Sequence, residues 1–388
     1  MSAAPIYLDY HAAAPVDPLA FEAMRPYFTE RFGDPGQTLH AHGWTADEAI
    51  DVARGQLGLL LNAEAAGFVF TSGATEAVNL AMRGLASTYG HRRTRIVTVA
   101  TEHPRVLETA ASLERDGFDI VVVPVDRAGQ VDIDALRAAV NRDTLLVAAM
   151  WANDQTGVLL PMAEIAEVAH SGGAFLLADA TWAVGKVPVD VDAADVDLLA
   201  FDANQFYGPK GTGGLWVRRR PRRVRLLPEL TGAGQQDGLR SGHYNVPGIV
   251  GMGKAADLAD ERLAKESAYL ERLRDRFEAT ITTSFADVTV NGAESPRVPT
   301  VSNLTIPGTE TRKLLPLLRG VAASTGAACK TRASQPSHVL TAMGRSRAEA
   351  FASLRFSFGR YTTEAEVDAA AEAVVSAVGS LRGRAMAA

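Results

Sequence analysis

Between about residue 65 and residue 225 the hydrophobic pattern switches repeatedly between two periods. Short β-branched runs at 67–72, 95–100, 119–125, 144–150, 174–180, 197–203 and 213–218 are apolar on both faces, the pattern of buried strands in a mainly parallel sheet. Stretches at 75–89, 104–116, 132–141 and 161–171 carry the helical period, and their alternation with the strands predicts repeated βαβ units. Ligands of such sheets sit outside the carboxyl ends of the strands, which directs attention to the loops after 72, 100, 150, 179 and 201. A long helical pattern over 247–283 alternates in charge, as a solvent-exposed connecting helix would. Beyond it, VTVNG, VSNLTI and RFSFGR are strand-like and interleave with helical patterns at 311–319 and 363–382. The predicted architecture is α/β: a large domain over 15–250, and a small α+β domain built from 251–388 with the N-terminal 1–14.

Composition narrows the classes. The 388 residues carry 39 Lys and Arg against 45 Asp and Glu, a net charge of −6 that argues against a general nucleic-acid binder. With 47% hydrophobic and 22% charged residues the chain can bury a large core. No apolar run approaches the roughly 18 residues of a membrane span, and the first residues lack the pattern of a secretory signal. The lone cysteine, Cys329, excludes an intramolecular disulfide and any zinc site built from several thiolates, so a reducing, cytoplasmic setting is expected. The basic run RRRPRR at 218–223 reads as a solvated strand end and turn.

The loop segments carry the chemistry: YLDYHAAAPVDP at 7–18, FGDPGQTLHAHGW at 32–44, TSGATEAVNLAMRG at 71–84, TEHPRVLE at 101–108, ADATWAVGK at 178–186, YGPKGTGGLWVRR at 207–219, GLRSGHYNVPGIVGMG at 238–253, STGAACKT at 324–331 and LRFSFGRYTTEAEV at 354–367. In order and spacing they resemble the cysteine desulfurases, fold-type I pyridoxal-phosphate (PLP) enzymes also described as class V aminotransferase-like. The resemblance implies a homodimer with active sites at the subunit interface and a large domain around a seven-stranded sheet. It also implies a reaction in which PLP on a lysine accepts cysteine and a mobile-loop cysteine takes the sulfur. Such chemistry needs a Schiff-base amine, an acid at the pyridine nitrogen, a phosphate anchor and a nucleophilic thiolate.

Mapped onto this chain, the resemblance implies that Thr75 contacts phosphate, Asp179 the pyridine nitrogen, and that His103 stacks on the ring and shuttles a proton. Six other positions depart from the family pattern. The lysine position of S-[AG]-H-K-x-Y-G-P-K-G is Gln205, whose amide nitrogen is delocalised into its carbonyl and cannot condense with an aldehyde. The serine and histidine before it are Asp202 and Asn204, and an ionised Asp facing a phosphate repels it. The second Asn of N-N-E-x-G is Asp154, the Gln of D-A-T-Q is Trp182, and the cross-subunit threonine after R-S-G is His243. Lys210, five residues beyond Gln205, is weighed as a substitute amine. Six altered contacts read as a pocket that has drifted to another use, with Trp151 and Trp182 filling the volume a PLP ring would vacate.

At the sulfur end, Cys329 stands where the family carries its persulfide cysteine, and neighbouring Lys330 and Arg332 favour thiolate. Arg355 matches the arginine that pairs with a substrate carboxylate. His11, His40, His42 and His338 are expected in surface or satisfied roles. Asp154, Asp179 and Asp202 would converge with His103, with His243 weighed as a further member, but no ligand-spacing motif supports a metal and none is expected. The leading expectation is a desulfurase homologue without lysine-dependent PLP chemistry, handling sulfur through Cys329 as persulfide carrier or sulfur-transfer partner. The alternatives are an enzyme that binds PLP non-covalently, a non-catalytic dimer partner of an active paralogue, and a repurposed biosynthetic enzyme.

Overall fold

The computed structural model of the chain describes residues 4–326 and 335–386. A short strand, β1 (Ile6–Tyr7), leads into helices α1 (Pro18–Met24), α2 (Pro26–Thr29) and α3 (Ala41–Leu61). Then come β2 (Phe68–Thr71), α4 (Ala74–Tyr89), β3 (Arg95–Val99), α5 (Pro104–Arg115), β4 (Asp119–Val123), α6 (Ile133–Ala139), β5 (Thr144–Met150), α7 (Met162–Ser171), β6 (Phe175–Asp179), β7 (Leu198–Asp202) and β8 (Gly213–Val217). In the large sheet every run expected to be a strand forms one, shortened by no more than two residues at either end. Local chemistry sets the helix starts. Asp17 and Asp132 cap α1 and α6 with their carboxylates, and Pro18 and Pro104 occupy first-turn positions where no N–H is needed.

The strands β2 to β8 form one sheet in the order β2-β8-β7-β6-β5-β3-β4. Strand β8 runs antiparallel to β2 and β7, and the remaining neighbours pair in parallel. Register sets Met150 opposite Asp179, Asp179 opposite Ala200 and Asp202 opposite Gly213. The carboxyl ends of β5, β6 and β7 therefore open onto one edge. One strand departs from expectation: β4 is not apolar on both faces in its setting, because it lies at the sheet edge and leaves Val122 half exposed.

The long helix α8 (Val246–Ser284) runs 39 residues and is not the solvent-exposed connector its charge pattern implies. Its first half packs on α1 and α3, and Gly253 comes so close to Ala53 that an added Cβ would lie 2.6 Å from the Ala53 Cβ. On α3, Ile50, Leu57 and Leu61 are fully buried in the same core, each worth about 1.5–3 kcal/mol relative to exposure. After α8 come β9 (Thr289–Val290), β10 (Val301–Thr305), α9 (Thr311–Leu314), β11 (Val321–Ala322), α10 (His338–Ala342), α11 (Arg347–Phe351), β12 (Ser353–Ser357) and α12 (Glu364–Met386). The helix expected over 311–319 stops at Leu314 and continues as a 3-10 turn over Leu315–Leu317, where Pro316 interrupts α-helical pairing. Strands β12, β10 and β9 form an antiparallel sheet, and β1 pairs in parallel with β11, which draws the N-terminal segment into this part of the chain. Among the described residues, no helix is long and apolar enough to cross a membrane.

Candidate functional site

The loops expected to carry chemistry meet at the carboxyl edge of the large sheet. Strand β7 ends at Asp202, whose carboxylate turns toward the N-terminus of α4. Its Oδ2 accepts from the Ala74 N–H at 3.5 Å and its Oδ1 from the Asn204 N–H at 3.0 Å. Gly73 makes this approach possible: it sits at φ +148°, and an added Cβ would lie 2.8 Å from Asp202 Oδ2. One residue earlier the Ser72 N–H donates to Glu76 Oε2 at 2.7 Å. One donor of the helix start, the Ala74 N–H, is thus met by the chain's own Asp202 carboxylate. Burial pushes the Asp202 carboxyl above its ordinary value, against the two backbone N–H groups that favour its charge. Thr75 lies on the exposed side of the same turn.

Gln205 is buried in a 3-10 turn that leaves β7. Its Nε2 donates to the His11 carbonyl at 3.0 Å, and Trp182 Nε1 donates to the same oxygen at 3.2 Å. From the other side Lys186 Nζ donates to the Gln205 main-chain oxygen at 2.9 Å and to its Oε1 at 3.3 Å. Burial pulls the Lys186 amine down to about 7, with Glu266 and Asp202 opposing. Lys186 is not among the sequence-based candidates, although a lone lysine inside the apolar run Val184–Pro188 is a legible signal of a buried amine. The cavity beside Gln205 and Lys186 measures about 10 Å³, space for one water at most. Lys210, weighed as a substitute amine, is exposed. Asn204 is spent on the N-terminal segment, its Nδ2 donating to the Ala14 carbonyl at 2.7 Å and its Oδ1 accepting from the Ala14 N–H at 3.3 Å.

The wall between His103 and Asp179 holds a side chain absent from the sequence-based candidates, Arg105. Its Nε donates to His103 Nδ1 at 2.9 Å and lies 3.4 Å from Asp179 Oδ2 in an ion pair. Its Nη1 donates to Thr181 Oγ1 at 3.1 Å, and its guanidinium carbon stacks 4.8 Å over the Trp182 ring. His103 packs on the other part of this group, ring centroids 5.1 Å from Trp182. Burial and the Arg105 charge hold the His103 imidazole down to about 2, so it is neutral. Two donors converge on Nδ1, the Arg105 backbone N–H and Nε, which leaves the ring proton on Nε2. Asp179 Oδ1 accepts from the Thr181 N–H and hydroxyl, while buried Oδ2 makes no hydrogen bond. Of the two tryptophans expected to fill this volume, Trp182 is buried in the core and Trp151 packs partly buried against it.

Around this centre sit further acids. Burial raises the carboxyl of Asp154, with Arg355 opposing, and burial followed by Asp179 raises Glu102 well above its ordinary value. Arg355 donates from Nη1 to the Asp154 carbonyl at 3.1 Å and from Nη2 to Asp9 Oδ1 at 2.8 Å, leaving Nε buried without a partner. His11 and His338 are satisfied, His11 between Thr300 Oγ1 and the Asp154 carbonyl, His338 on the Glu102 carbonyl. Within one chain His243 is exposed and lies 3.6 Å from Asp34. Among the described residues no group of three or more His, Cys, Asp or Glu is gathered to hold a metal ion. Cys329, with Lys330 and Arg332, lies outside the described residues.

The sequence profile of the family described as Aminotransferase class-V matches residues 6–370, from the N-terminal strand into α12. The chain belongs to this family. Within it the chain is 45% identical, over 97% of its length and 93% of the relative's, to the cysteine desulfurase IscS of Anaeromyxobacter sp. (strain Fw109-5). Solved structures agree. A NifS-like protein superposes with a TM-score of 0.89 at 31% identity, covering 97% of this chain and 99% of that one. SspA in complex with cysteine superposes with a TM-score of 0.81 at 31% identity, covering 92% and 99%. The class-V fold with its seven-stranded, mainly parallel sheet is therefore the fold of this chain.

Proposed function

We propose that this class-V protein is a cysteine desulfurase-like sulfur-handling protein that does not run lysine-dependent PLP chemistry and carries sulfur on Cys329. The observation that carries the reading is the environment of Gln205: an amide, buried and hydrogen-bonded on both sides, at the position where the resemblance calls for an amine. The residues present do not fit PLP. Asp202 holds the start of α4, and Arg105 lies between His103 and Asp179.

In this reading the protein is a cytoplasmic homodimer with a sulfur donor and acceptor among its partners, and it uses neither nucleic acid nor membrane. The transfer balances without an external oxidant or reductant. The Cys329 thiolate attacks the terminal sulfur of a donor persulfide, the donor S–S bond breaks, and the donor leaves as thiolate while Cys329 holds the persulfide. Relatives bearing the desulfurase name, and a structural neighbour solved with cysteine, support a sulfur chemistry of this kind.

The test is incubation with an active desulfurase and cysteine, followed by mass analysis of the peptide containing residue 329. Added sulfur on Cys329, absent in C329S, is the expected result; an unmodified thiol after full turnover of the donor refutes the carrier. One observation favours a second reading, non-covalent PLP binding. Buried Asp179 Oδ2 makes no hydrogen bond and could accept one from a ring nitrogen. A stoichiometric chromophore that survives dialysis would establish it.

A further inference from the structure

We infer that the chain fills its own cofactor cavity: Arg105 and Trp182 stand in for the ring and Asp202 for the phosphate, and these three side chains, rather than Gln205, are what exclude PLP. The inference rests on the proposed reading that the wild-type pocket is empty of cofactor, and it assigns the cause.

The geometry is that of a built site with an internal occupant. Arg105 Nε reaches His103 Nδ1 at 2.9 Å and Asp179 Oδ2 at 3.4 Å, so a cationic planar group bridges the two residues that would flank a pyridine ring. The guanidinium is planar and keeps its charge, so its 3.4 Å ion pair sets a cation against the buried Asp179 carboxylate, as a protonated ring nitrogen would. The indole of Trp182 supplies the stacking surface, 4.8 Å from the guanidinium carbon and 5.1 Å from the His103 ring, and is anchored by its N–H on the His11 carbonyl at 3.2 Å. At the other end the Asp202 carboxylate meets the Ala74 N–H, and Gly73 leaves room for it. Positive and negative groups are thus arranged head to tail as they would be in a ring-and-phosphate ligand.

A consequence separates this cause from the simpler one. Restoring the amine alone leaves the cavity filled, whereas emptying the cavity admits the ligand even without an amine. Four full-length proteins decide it: wild type, Q205K, R105A/W182Q/D202S, and the combination of all four changes. Each is incubated with excess PLP and desalted, cofactor per chain is measured after alkaline release, and folding is followed by thermal melting. Wild type and Q205K are expected to retain none. The triple variant is expected to retain PLP that leaves on extended dialysis, and the quadruple variant to retain it in a borohydride-reducible link to residue 205.

Full occupancy of Q205K overturns the inference while leaving the wild-type reading intact. A folded triple variant that stays empty overturns it as well. Occupancy of the wild type refutes the reading beneath it. If the multiple variants do not fold, R105A alone carries the test. Its melting temperature should fall and recover with methylguanidinium but not with methylammonium, and equal recovery with both, or none, overturns the role of Arg105 as planar occupant.

Discussion

Lys186 Nζ lies 2.9 Å from the main-chain oxygen and 3.3 Å from the side-chain oxygen of Gln205, and burial brings its amine down to about 7 from an ordinary 10.5. A base whose folded value is depressed binds fewer protons folded than unfolded between those two values. Stability therefore rises with pH from about 7 to 10.5, by on the order of 5 kcal/mol in all, and levels off above. Urea unfolding at pH 7 and at pH 9.5 should show the rise in wild type and its loss in Lys186→Met. An equal rise in both proteins would assign the slope to other groups.

Gln205→Glu tests the same contact from the opposite side. A carboxylate at Oε1 favours the charged lysine, so the slope above pH 7 shrinks. The other carboxylate oxygen then faces the His11 carbonyl, which has lost a donor and keeps only the Trp182 N–H at 3.2 Å. Stability at pH 7 should fall by about 1–3 kcal/mol. Paired denaturation curves at pH 7 and pH 9.5 measure both effects, and an unchanged slope would place the Lys186 amine out of reach of residue 205.

How much of this was legible from residues alone differs between fold and site. The strands of the large sheet could be read because, edge strand β4 aside, they are apolar on both faces and bounded by turn residues. Helix α3 went unread, since its inward positions mix Gly43, Ala46, Ala49 and Ala53 with Ile50 and Leu57, a stripe too small-sided to stand out. The charge alternation of α8 hid a buried glycine and alanine face at Gly248–Ala256. In the site, Gln205 is placed by the Tyr207–Gly211 segment that follows it, and Asp202 by its spacing from Gln205. Arg105 could not be read: an arginine in the first turn of a helix is ordinarily solvated, whereas contacts with His103, Asp179, Thr181 and Trp182 hold this one inward. The sequence assigns Arg355 to a ligand carboxylate, yet its Nη2 is occupied by Asp9, 346 residues away in sequence.

Glu102 provides a pH dependence of the opposite sign. Its Oε1 accepts from the Met150 N–H, its Oε2 is buried without a partner, and burial holds the carboxyl well above 4.5. An acid with a raised folded value binds more protons folded than unfolded, so stability falls as pH rises from 4.5, by at most about 1.4 kcal/mol per pH unit. Glu102→Gln keeps the acceptor for Met150 and has no proton to lose. The variant should match wild type near pH 4.5 and exceed it in stability at pH 7; the reverse order at pH 7 would mean the carboxyl is ionised in the fold.

Arg360 ties together four parts of the chain that converge below the site. Its Nη1 meets Asp17 Oδ2, the N-cap of α1, at 2.6 Å, and its Nε meets Glu266 Oε2 on α8 at 2.8 Å. The guanidinium stacks 4.1 Å over Tyr207, whose hydroxyl accepts from the Arg360 N–H. With Asp17 4% and Glu266 12% exposed, the carboxylates are shielded from water. Removing the cation strands them, since Arg262 reaches Asp17 only at 3.4 Å. Arg360→Ala should cost about 3–5 kcal/mol, seen as a lower urea midpoint at pH 7. At acidic pH, where Asp17 is protonated in both states, its share of that cost disappears and the gap to wild type narrows. A gap that stays constant with pH would attribute the loss to the Tyr207 stacking alone.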